Sequence, residues 1–112
     1  MSKFDEALET YTAEMKKLDI AVDADLLRAV TKGLGPSIYN VDSSKVSSSD
    51  QSELDRVKEK FLMGKLGLAD GAELDSAIAE VVETFGKSNR NKYRAIFYYL
   101  LTKKFGKESI YA

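Results

Sequence analysis

The 112-residue chain contains no cysteine, no histidine and a single proline. Without cysteine, neither a disulfide nor a thiolate-held metal can form, which suits a reducing compartment. Acid-base chemistry would have to rest on Glu, Asp, Lys or Tyr, each displaced from its ordinary pKa by burial or by a neighbour. No pair in the sequence is marked for that work, so the chain reads as a non-enzymatic protein without a cofactor. Long apolar stretches are missing too. The longest is "AIFYYLL", residues 95–101, well short of the about 20 residues that a membrane helix needs. The opening "MSKFDEALET" sets Asp5, Glu6 and Glu9 where a signal peptide would carry its apolar segment. The expectation is a soluble cytoplasmic protein with no membrane partner.

What is present suffices for a core. Hydrophobic residues make up 44% and charged residues 31% of the sequence, and a chain of this length hides roughly 65% of its unfolded surface on folding. Residues 1–112 are read as one helical domain. Phe4, Leu8, Tyr11, Met15 and Leu18 recur at helical spacing behind Ser2, a capping residue with Asp5 three places on. Asp23 is placed to cap a second helix carrying Leu26, Leu27 and Val30, which Gly33, Gly35 and Pro36 stop. Serines at 43, 44, 47, 48 and 49 compete with the backbone for hydrogen bonds and mark residues 38–49 as a surface connector. Asp50 caps a third helix, with Glu53 reaching back to it and Leu54, Val57, Phe61 and Leu62 inward, ended by Gly64 and Gly67. Asp70 opens a fourth helix that runs through Leu74, Ile78, Val81, Val82 and Phe85 to Gly86. Ser88 opens a fifth, with Tyr93, Ile96, Phe97, Leu100 and Leu101 inward and Gly106 as its stop. No window alternates like a strand. The expected fold is all-α, about five helices in an irregular compact array with one serine-rich loop.

Three short motifs invite sharper readings. The "GKS" of residues 86–88 looks like the end of a phosphate-binding loop, which needs a glycine five positions before the Gly-Lys pair and a preceding strand. Position 81 is Val and the preceding element is read as a helix, so a helix stop at Gly86 explains the same letters. "YLLTK" at 99–103 matches the Tyr-x-x-x-Lys spacing of short-chain dehydrogenases, but no dinucleotide-binding βαβ unit accompanies it. The acids at Asp23 and Asp25, and at Asp70, Glu73 and Asp75, lack the central glycine of a calcium loop and read as helix caps and first-turn acids.

The charge distribution is the stronger signal. Residues 1–86 hold 10 basic and 17 acidic residues, a net of -7, whereas residues 87–107 hold seven basic residues and no acid. Lys87, Arg90, Lys92 and Arg94 fall where the fifth helix is expected to begin, a position whose dipole ordinarily favours Asp or Glu. Tyr98 and Tyr99 fall outside the main apolar stripe, among Lys92, Arg94 and Lys103. Lys87, Arg90, Lys92, Arg94, Tyr98, Tyr99 and Lys103 therefore form a candidate surface for an anion or a partner. One reading is an interaction module that meets an acidic protein or a second copy of itself. Another is a nucleic-acid or phosphate ligand, bound by backbone neutralisation and base stacking. In a third, the cations pair with the acidic remainder of the chain and both tyrosines pack inside.

The phrases "LLRAVTKGLGPSIYN" (residues 26–40), "KSNRNKYRAIFYYLL" (residues 87–101) and "KKFGKESIY" (residues 103–111) resemble a family of short bacterial proteins catalogued only as a domain of unknown function. The likeness covers essentially the whole chain. It implies a bacterial, single-domain, all-helical protein, and brings no activity, cofactor or site residue with it.

Overall fold

The computed structural model describes residues 2–40, 43–86 and 88–111. Five helical segments follow in order: α1 (Lys3–Lys17), α2 (Ala24–Leu34), α3 (Gln51–Arg56) continuing without a break as a π-helix (Val57–Lys65), α4 (Ala72–Phe85) and α5 (Arg94–Lys104). Short 3₁₀ turns, Gly35–Tyr39 and Glu108–Tyr111, follow α2 and α5. Among the described residues there is no strand, only an isolated antiparallel bridge between Lys45 and Tyr93. The all-α expectation holds. The radius of gyration, 13.0 Å, is that of a compact chain of this size.

Several boundaries follow local chemistry that the sequence states openly. The Ser2 hydroxyl accepts from the Asp5 N–H at 3.1 Å, and the Asp23 carboxylate accepts from the Leu26 N–H at 3.2 Å. Gly35, at φ 65°, ends α2 in a conformation that side chains resist. The chain leaves α1 through Asp19, at φ 62°, in the left-handed position that glycine or asparagine usually takes.

Elsewhere the structure departs from expectation. Asp70 does not cap α4: it pairs with Lys58 at 2.9 Å, and Gly71 takes the cap position without a side-chain bond. Nor does Glu53 close a capping box. Asp50 instead accepts from the Ser52 N–H and hydroxyl at 3.0 and 2.7 Å, while Glu53 turns to Arg94. The third helix passes through Gly64 by widening into the π form, in which the Leu66 N–H bonds the Phe61 carbonyl five residues back. A Cβ at position 64 would sit 3.3 Å from the Glu59 carbonyl oxygen, a close approach that glycine accommodates.

The largest correction concerns α5, which begins at Arg94 rather than at Ser88. Asn89 explains the delay, because its side chain accepts from the Asn91 N–H at 2.8 Å and donates to the Phe85 carbonyl at 3.2 Å. These bonds hold the backbone in a turn that competes with the helix. The segment then meets the serine stretch: the Val46 N–H donates to the Lys92 carbonyl and the Arg94 N–H to the Ser44 carbonyl, both at 2.8 Å. Residues 43–46 are thus tied down, and Ser44 and Val46 are buried. The stretch is more than a surface connector.

These ties set α5 in the middle of the array, against α1, α2 and α4. Ala95, Ile96, Phe97, Tyr99, Leu101 and Thr102 are buried on it, positions that run around most of its circumference. Thr31 and Thr102, both fully enclosed, each donate a hydroxyl hydrogen bond to the carbonyl four residues back, at 2.7 and 2.8 Å. No buried side-chain polar atom lacks a partner among the described residues.

Tyr11, on α1, is 3% exposed and lies 5.1 Å from the Tyr93 ring, centroid to centroid. Burial, reinforced by Tyr93 and Tyr39, raises its hydroxyl pKa from 10.0 to about 12. The folded protein therefore holds this proton where the unfolded chain has lost it. Stability is full below pH 10 and falls as pH rises towards 12. Tyr11 alone accounts for a loss on the order of 2–3 kcal/mol. Urea unfolding from pH 8 to 11.5 should show this decline, reduced in Tyr11→Phe; identical pH profiles for the two proteins would contradict it.

Candidate functional site

Arg94 opens α5 with its side chain turned into a corner between three segments. Its Nε donates to the Ser43 carbonyl at 2.8 Å, and its Nη1 donates to the Tyr98 hydroxyl at 3.1 Å. Its Nη2 pairs with Glu53 of α3 and lies 3.5 Å from the Lys45 carbonyl. Arg94 and Glu53 side chains are each 15% exposed. Burial alone would lower the guanidinium pKa, but the bonds to Glu53 and Tyr98 prevail and raise it. An arginine with its hydrogen bonds committed in this way is a structural clasp.

The other expected surface residues scatter. Lys92 is 3% exposed, with its ammonium donating to the Asn89 carbonyl, and burial holds its pKa below the usual lysine range. Tyr99 is enclosed: its hydroxyl donates to the Ala21 carbonyl and accepts from the Asp23 N–H, both at 2.8 Å. Tyr98 is half-buried, stacked on Phe61 of the π-helix with ring centroids 3.9 Å apart. Arg90 is exposed, but on the turn before α5. Lys103 is exposed at the far end of α5, 3.4 Å from Asp23. Lys87 lies outside the described residues. Among the described residues there is therefore no continuous basic strip at the start of α5, and neither tyrosine stands free for stacking.

Two hollows open instead along the outer face of α5. One, of about 390 Å³, lies between that face and the α1-α2 connector, walled by Ile20, Val22 and Tyr99. The other, of about 340 Å³, lies against α4 at Glu80, Val81 and Thr84. They meet at Leu100 and Lys103, which line both. Lys104 pairs with Glu80 beside the second hollow. The Leu26 N–H chiefly, and then Lys103, hold the Asp23 carboxyl below its ordinary pKa. Leu100 belongs to the apolar pattern expected to point inward, yet it is only half-buried. Its place at the mouth of the groove depends on where the connector lies, which spacing along α5 does not reveal.

A family model matches residues 10–109, a stretch that takes in the clasp and both hollows. The chain belongs to the family described as Protein of unknown function (DUF2853). The DUF2853 match turns the resemblance of residues 26–40 and 87–101 into membership. No curated protein matches the sequence. Among the described residues of this DUF2853 member, no three His, Cys, Asp or Glu side chains are grouped to hold a metal ion. No helix among them is long and apolar enough to cross a membrane.

Arg94→Ala leaves the Glu53 carboxylate to the exposed Arg56, 3.3 Å away, and frees the Ser43 carbonyl, so it should cost about 2–3 kcal/mol in urea unfolding. Arg94→Lys cannot reproduce the planar fork and should recover less than half of that loss. A loss below about 1 kcal/mol for the alanine variant would show that the pair contributes no more than an exposed one.

Proposed function

We propose that the protein is a non-catalytic interaction protein, and that its contact surface is the outer face of α5 at Leu100, Lys103 and Lys104. The partner is an acidic amphipathic segment of another protein. The observation that carries this reading is the meeting of two hollows at Leu100 and Lys103. Apolar side chains of such a segment would enter on either side of Leu100, and its carboxylates would take the two lysines.

The energetics favour exchange there. Lys103 and Asp23 side chains are 40% and 44% exposed, and a pair of that kind contributes under about 1 kcal/mol. A partner carboxylate can replace Asp23 at little cost, because Asp23 keeps its bond to the Leu26 N–H. Covering what remains exposed of the half-buried Leu100 removes further apolar surface from water, a fraction of the about 1.5–3 kcal/mol that burying a whole exposed side chain brings. The nucleic-acid alternative draws less support, since Tyr99 is enclosed, one face of Tyr98 is covered by Phe61, and Arg94 is committed within the fold.

The wild-type protein and the Leu100→Glu/Lys103→Glu variant would be titrated with acidic amphipathic helical peptides and with labelled single-stranded DNA and RNA, at about 50 and 200 mM salt. Both substituted side chains reach solvent, and circular dichroism verifies that the variant keeps its helices. The expected result is saturable peptide binding that weakens at least about tenfold in the variant, with no binding of either nucleic acid. Peptide binding indifferent to the substitutions, or nucleic-acid binding by the wild type, would overturn the reading.

A further inference from the structure

We infer that the cleft between α2, the π-helix and the C-terminal turn is a binding site for a small aromatic carboxylate, held by Lys60 and Lys65. The cleft measures about 150 Å³ and shares no residue with the α5 groove. Its walls include Leu34, the stacked pair Phe61 and Tyr98, and Tyr111 of the terminal turn. An apolar cavity of about this volume accepts one benzene ring, while sites for larger ligands run from roughly 300 Å³ upward. The volume and the aromatic lining together suit a single planar ring.

The two lysines select the charge. Both line the cleft, and among the described residues no carboxylate side chain lines it with them. Neither has a carboxylate within ion-pair distance among the described residues, although Lys65 lies over the Tyr111 ring, 5.3 Å from its centroid. Their convergence is a product of the π form. In an α-helix side chains five apart point in well-separated directions, whereas bonds that span five residues bring positions 60 and 65 towards one side. Such π turns recur at functional sites. Tyr111 adds no opposing charge: a tyrosine hydroxyl is neutral near pH 7, and burial, then Tyr98, raises the pKa of this one further, to about 12.

The test is an amide-resolved NMR titration of the full chain with benzoate, benzyl alcohol and acetate, which separate the ring from the carboxylate. Benzoate should give saturable shifts centred on Gly33, Lys60, Phe61, Lys65 and Tyr98, with a Kd on the order of millimolar or tighter. Benzyl alcohol and acetate should each bind at least about tenfold more weakly. Lys60→Met/Lys65→Met, both at exposed positions, should lose benzoate by at least about tenfold while leaving benzyl alcohol unchanged. No saturable shift with benzoate, shifts centred elsewhere, equal binding of acetate, or full binding by the double variant would each overturn the inference.

Discussion

The arrangement depends on how one half-buried guanidinium finds its acceptors. Arg94 has donors in a rigid planar fork and cannot lose its charge. Enclosing it is tolerable only where carbonyls and a carboxylate surround it. Two of the carbonyls, Ser43 and Lys45, come from a serine-rich stretch with little apolar surface of its own, and the carboxylate comes from Glu53 on another helix. Satisfying one side chain therefore orders the stretch, fixes the start of α5 and sets α3 beside it. The backbone bonds from Val46 to Lys92 and from Arg94 to Ser44 complete the clasp.

A centrally placed α5 explains where its own cations lie. Its middle is apolar around most of its circumference, so its cations are confined to the ends and the outer edge, where they meet acids on other elements. Arg94 reaches Glu53 on α3, Lys103 reaches the Asp23 cap of α2, and Lys104 reaches Glu80 on α4. The pairs are not equivalent. The half-buried one holds structure together, whereas the exposed ones near Leu100 contribute little to stability and remain available for exchange. One basic segment thus supplies a clasp at one end of α5 and a polar rim for a groove at the other.

Much of the fold could be read from spacing. The stripes of α1, α2 and α4, the Ser2 and Asp23 caps and the stop at Gly35 are local features, and the structure keeps them. Most of what escaped depended on partners distant in sequence, the turn at Asn89 being the local exception. Glu53 looked like a capping-box residue because the sequence does not reveal Arg94 across the corner, and Ser88 looked like a cap until Asn89 turned the backbone. Helical spacing sets Tyr99 outside the main apolar stripe, yet its hydroxyl finds Ala21 and Asp23 more than 70 positions away. Lys60 and Lys65 gave no sign in sequence, since under α-helical periodicity they do not share a side. Gly64 was the one local clue: it read as a stop, and it permits the widened turn instead.

The most direct measurement of the clasp is native-state hydrogen exchange at the Val46 and Arg94 amides, compared with that of Phe97 inside α5. If the serine stretch is held as part of the core, all three open only with global unfolding and report the same free energy. Exchange of Val46 and Arg94 at rates typical of an open loop, with Phe97 still protected, would contradict the account and leave residues 43–46 as a connector that merely rests on the helices.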